Sequence, residues 1–130
     1  MLQHDYLLEI IAEFVQTVMN ALRHARKNGD RESLQELDAA VCDLLDLDPQ
    51  LALRLSPDSL VTMMLLSGMG DSLAEYVAYS LRMAADAYDQ LGDSQTALER
   101  LAQSQAVAES FGCDQDVVPH EFEAFEAGLA

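Results

Sequence analysis

The sequence predicts an all-α protein, a compact bundle of five to seven helices. Three observations predict it. Half of the residues are hydrophobic, yet aromatics make up only 6% and Trp is absent, so the core must come from Leu, Ala, Val and Met. Apolar residues recur at helical spacing along most of the chain, and runs rich in Val, Ile, Thr and Tyr, as strands would need, are missing. Gly-Asp, Asp-Pro and Ser-Pro pairs fall between the periodic stretches, where helices should stop and restart.

The first helix is expected over 4–28, with Gly29 as its stop. Its polar stripe is Glu9, Glu13, Gln16, Asn20, Arg23 and Lys27. Its apolar residues, from Leu7 through Ile11, Phe14, Val18 and Leu22 to Ala25, cover about half the circumference at 3.6 residues per turn. That arc is wider than one neighbour can cover, so this helix is either central in the fold or half of an oligomer interface. Asp30 should cap a second helix over 31–47, with a one-sided face of Leu34, Leu37, Val41, Leu44 and Leu45. The helix–turn–helix thus occupies 4–47.

Asp48-Pro49 and Ser56-Pro57 each place Pro where a helix can begin, which predicts short helices within 49–67. The stretch 60–66 is apolar nearly all round, as in a helix buried on every side; a contact surface is the alternative reading. Asp71 or Ser72 should cap a long helix to about residue 91, and Asp93 or Ser94 the next one, over 95–111. Together they form a hairpin over 71–111 that turns at Gly92. An acidic tail helix is expected over 118–127, packing Phe122 and Phe125 on the bundle. No linker divides the chain, so 1–130 reads as one all-helical domain.

Within the hairpin, Ala85, Tyr88, Gly92, Ala97 and Leu101 stand at the spacing of a tetratricopeptide repeat, and the segment resembles that family. The small residues let two helices close, Tyr88 fills the gap between them, and Gly92 takes the left-handed turn. Ser104 departs from the pattern, which has Ala there, and no Pro follows the second helix. The whole chain also resembles a family of small bacterial helical proteins of no assigned function. Asp5-Tyr6-Leu7-Leu8 with Ile10, Gly29-Asp30, the segment 60–70 and Gly92-Asp93 carry that resemblance. It implies repeat-like helices and no recognised active site.

The net charge is −16, from 23 acids and 7 bases. Such a surface repels nucleic acid and anionic membrane, which excludes both as expected partners. No apolar run approaches the roughly 20 residues that span a bilayer. The N-terminus lacks a basic leader, and Cys42 and Cys113 form no zinc or redox motif, so a cytoplasmic protein with reduced thiols is expected.

No phosphate loop, nucleophile elbow, metalloprotease or EF-hand motif occurs. The histidines His4, His24 and His120 fall in separate elements, so no metal or cofactor is expected. The carboxylate row Asp5, Glu9 and Glu13 reads as a solvated helix face. Two groups remain as interaction candidates. Arg23, Arg26, Lys27 and Arg31 are four of the seven bases and cluster at the Gly29 turn. There they complement the helix dipole or offer a site to an acidic partner. Met63, Met64 and Leu66 belong to the apolar 60–66 stretch. The expected function is a non-enzymatic protein–protein interaction or adaptor module, joined to a protein partner or to itself as a homodimer. The alternative is a small-molecule-binding or sensor bundle with an apolar pocket.

Overall fold

The computed structural model describes residues 2–48, 53–68, 70–114 and 117–129. Among these the chain is all-helical, with no strand. The helices are α1 (Leu2–Asn28), α2 (Arg31–Leu44), α3 (Pro57–Ser67), α4 (Gly70–Gln90), α5 (Ser94–Phe111) and α6 (Glu123–Leu129), the last preceded by a 3-10 turn, His120–Phe122. Of the two short helices expected within 49–67, the start of the first, residues 49–52, lies outside the described residues. Residues 53–55 form a turn and a bend.

Helix α1 is central. Ile11, Phe14, Val15, Val18, Ala21, Leu22 and Ala25 are all buried, covered by α2, α4 and the 3-10 turn. Most of its wide apolar arc is therefore covered within the chain, while Leu7, Ile10 and Met19 are half-buried. Helices α4 and α5 make the most extensive packing contact, an antiparallel hairpin whose inner face includes Ala85, Tyr88 and Ala97. Leu101 is half-buried in it. At Gly92 φ is +88°, and the Asp93 amide donates back to the Tyr88 carbonyl at 3.0 Å, closing α4. Ser104 is fully buried and donates its hydroxyl to the Ala78 carbonyl at 2.6 Å. That hydrogen bond ties the two helices together at their crossing.

The helix starts follow capping chemistry. Asp30 accepts from the Ser33 amide, Ser56 from Ser59 and Asp93 from Thr96, each at the N-cap of its helix. These hydrogen bonds hold the Asp30 and Asp93 carboxyls below their ordinary value; for Asp93, Arg31 adds to the effect. Several boundaries differ from expectation: α1 starts at Leu2 and not at 4, the tail expected as one helix over 118–127 is the 3-10 turn followed by Glu123–Leu129, and two further differences have a visible cause. Helix α4 begins at Gly70, ahead of the expected caps Asp71 and Ser72, with a Gly70 that has no room for a side chain. Helix α2 stops at Leu44, short of residue 47. The Leu47 amide donates to the Cys42 carbonyl at 2.9 Å and the Asp46 amide to Asp43 at 3.1 Å, a Schellman end. Asp46 takes the left-handed position, at φ 56°, that Gly usually fills. With no Gly to mark it, this stop is silent in the sequence.

The C-terminal segment straps the bundle. Phe122 is fully buried against the Tyr79 ring at 4.5 Å, and Phe125 is buried beneath the Arg23 guanidinium at 5.5 Å. Tyr76 donates to Glu121 at 2.6 Å, and Tyr79 donates to Glu126.

Candidate functional site

Helix α3 divides its apolar residues between two sides. Leu60, Val61 and Met64 face the core, and Met64 is only 1% exposed. Met63, Leu65 and Leu66 face outward at 39%, 60% and 78% exposure. The helix is therefore not buried on every side, and Met64 is a core residue while Met63 and Leu66 lie at the surface. An exposed Leu is unremarkable alone, but here Met63 and Leu66 border a concavity.

That concavity is an open groove of about 390 Å³ between the end of α2 and the end of α3. Leu44, Leu45, Leu47, Met63 and Leu66 form its walls, and Leu73, from the start of α4, lies buried at its floor. Its polar lining residues are Asp46 and Ser67; Ser67 donates its hydroxyl to the Met64 carbonyl at 2.7 Å. The Schellman end of α2 creates this arrangement. By turning the chain at Asp46, it folds Leu47 back beside Leu44 and sets an exposed carboxylate at the rim. Sequence reasoning missed Leu44, Leu47, Asp46 and Leu73 as one group. The available signal was Asp43, Asp46 and Asp48 at the end of a helix whose last turn carries no base, against the sense of the helix dipole.

The four clustered bases do not share one surface. Arg31 turns to the hairpin, with Nη1 2.8 Å from the Asp93 Oδ2 and its guanidinium 6.0 Å from the Tyr88 ring centre. Arg23, Arg26 and Lys27 flank Phe125. Arg26 also enters a second groove of about 390 Å³, together with Leu22, Arg82, Asp86, Phe125 and Glu126. That groove carries both signs of charge, so it has no strong preference for an anion.

A buried polar cluster, also absent from the sequence reading, ties α2 to the hairpin. Arg100 binds Asp38 through Nε and Nη2, while its Nη1 donates to the Leu53 carbonyl at 3.1 Å and to Gln103. Tyr88 donates to Asp38 at 2.7 Å, and the Gln103 amide donates to the carbonyls of Leu53 and Leu55. Burial draws the Arg100 pKa down, but the hydrogen bonds and charge of Asp38 more than offset it, and the net shift is upward. Every side chain of the cluster is engaged, which makes this a structural latch holding the 53–55 turn.

Cys42 is buried and burial pushes its thiol up to about 11, so it is a poor nucleophile. Glu9 and Glu13 are exposed. Among the described residues, no group of three or more His, Cys, Asp and Glu side chains could hold a metal ion, and no helix is long and apolar enough to cross a membrane. Searches of family models, curated proteins and solved structures each find no match to this chain.

Proposed function

We propose that this chain is a non-enzymatic protein-interaction module of the cytoplasm that docks a protein partner, or a second copy, through the Met63–Leu66 side of α3. The observation that carries the reading is the exposure of Met63 and Leu66, at 39% and 78%, on the wall of an open leucine-lined groove. Apolar side chains grouped around a concavity mark interaction sites more often than they serve stability, since here they bury little. The helical hairpin, similar in its spacing to a tetratricopeptide unit, supports the same class of function. The strongly acidic surface argues against nucleic acid and anionic lipid as partners.

Photocross-linking in the chain's own cells tests this. A photoreactive benzoylphenylalanine replaces Leu66 in the full chain, or Glu36 on the exposed face of α2 as the control position. A discrete protein adduct from position 66 and none from position 36 is expected. Failure to form an adduct at 66, or the same adducts from both positions, removes the docking face.

The second groove favours one further reading, a small-molecule site with Arg26 and Arg82 set against Phe125 and Leu22. A ligand that raises the melting temperature of the wild type and not of Arg26→Gln would carry that reading; ligands that stabilise both alike would end it.

A further inference from the structure

The charge around the α2–α3 groove selects among partners. Two helix C-termini meet there, since α2 ends at Leu44, α3 ends at Ser67, and both residues line the groove. Each terminus presents carbonyl groups and a partial negative charge, ordinarily offset by Lys or Arg in the last turn. Neither helix has a base in its last turn. Helix α2 carries Asp43 there instead, and Asp46 follows it at the groove rim, in a backbone geometry that Asp adopts at some cost. No lining residue is basic. Arg31 and the Arg23–Lys27 group lie at the far end of α2, whose 14 residues span about 21 Å. An apolar floor with a negative rim, built against the helix dipole, is complementary to a ligand that is apolar on one side and cationic on its flanks.

We infer that the groove binds a cationic amphipathic helix of another protein. Leucine-like side chains at i and i+3 or i+4 enter between Leu44, Leu47, Met63 and Leu66, and flanking Lys or Arg side chains meet Asp43, Asp46 and the two helix ends. This rests on the docking reading above and adds the chemistry of the partner. Side chains on α3 one turn apart, Met63 and Leu66, match the repeat of the incoming helix.

The test is fluorescence anisotropy of the full chain with three labelled synthetic helices of identical leucine spacing, filled with Lys, Gln or Glu at the polar positions. The Leu/Lys helix is expected to bind and the Leu/Glu helix not, with Leu/Gln between them. Exchanging Met63→Ser and Leu66→Ser together should weaken Leu/Lys binding by about tenfold or more, as loss of a central anchor does. Exchanging Asp43→Asn and Asp46→Asn should weaken it several-fold, while Glu32→Gln with Glu36→Gln, an equal loss of charge elsewhere on α2, changes it less than about twofold. Circular dichroism melts confirm that each variant is folded.

Equal weakening by both charge pairs would mean general attraction to an acidic protein and would overturn the inference. Leu/Gln binding as tightly as Leu/Lys, still dependent on Met63 and Leu66, would overturn the cationic partner and leave the docking face standing. Binding indifferent to Met63 and Leu66 would remove both. Self-association of the wild type that Leu66→Ser abolishes, read by sedimentation, would make the occupant a second copy and overturn the inference.

Discussion

The Arg100 guanidinium lies across the Asp38 carboxylate in a two-pronged pair, with Nε to Oδ1 at 3.2 Å and Nη2 to Oδ2 at 3.1 Å. Its side chain is 9% exposed and that of Asp38 15%, so the pair sits largely out of water. It joins the middle of α2 to α5 across 62 residues of sequence. Arg100→Ala would leave Asp38, Gln103 and the Leu53 carbonyl short of a partner. A loss of about 3–5 kcal/mol in urea unfolding is expected. Lys at this position cannot reproduce the fork and should recover little. A double-mutant cycle with Asp38→Ala should show the two changes costing less together than their sum.

Gly70 is required by close approach. A Cβ there would lie 2.5 Å from the Phe111 ring and 3.2 Å from the Met64 carbonyl. Gly70→Ala should therefore destabilise by about 1–3 kcal/mol, as overpacking does, despite the better helix propensity of Ala. Adding Phe111→Leu, which withdraws the ring, should return part of the loss. If Gly70→Ala melts at or above the wild-type temperature, the close approach is not a constraint.

Ser80 is fully buried in α4, and its hydroxyl has no hydrogen-bond partner. Such a group carries the desolvation cost of a polar atom without the return. Ser80→Ala should raise stability by about 1 kcal/mol, read as a higher urea midpoint at unchanged slope. A decrease would show that the hydroxyl is satisfied in solution.

The chain should lose stability at alkaline pH. Burial, then hydrogen bonding to Glu121 and Glu126 respectively, lifts Tyr76 and Tyr79 well above the ordinary 10.0; for Tyr88 the causes are burial and the Asp38 charge. Burial likewise lifts Cys42 from 9.0 to about 11. A raised folded value means that the unfolded chain releases its proton first as pH rises. The contribution of each group is complete below its ordinary value and disappears as pH climbs toward its folded one. Urea midpoints should hold at neutral pH and fall as pH passes 9.0, where the thiol of the unfolded chain is half ionised while that of the folded chain stays protonated. Tyr79→Phe should flatten part of that fall. A midpoint constant to pH 11 would contradict the burial of these groups.

The helices were legible because their signals are local. Periodic apolar residues, Gly29, Gly92 and Gly112, and the caps Asp30, Ser56 and Asp93 act within a turn of where they stand. Phe122 and Phe125 could be read as packing residues because large apolar side chains on a short acidic helix have nowhere else to go. The groove was illegible for two reasons. Its stop signal is an Asp in a glycine geometry, and its walls and floor are drawn from three helices whose meeting is set by tertiary packing. The latch was hidden in the same way: Asp38 and Arg100 look like solvated charges until α2 lies against the hairpin. The even apolar character of residues 60–66 concealed which residues of α3 turn outward, since periodicity is uninformative when almost every position is apolar.

The strap formed by Phe122 and Phe125 has a consequence for synthesis. Part of the apolar arc of α1 is covered by residues that lie about a hundred positions downstream. At a translation rate of about 5–20 residues per second, that arc stays bare for about 5–20 seconds after α1 leaves the ribosome. The segment that carries Phe122 and Phe125 completes the cover of α1, so a chain truncated near position 115 leaves part of its central helix open to aggregation or to a chaperone.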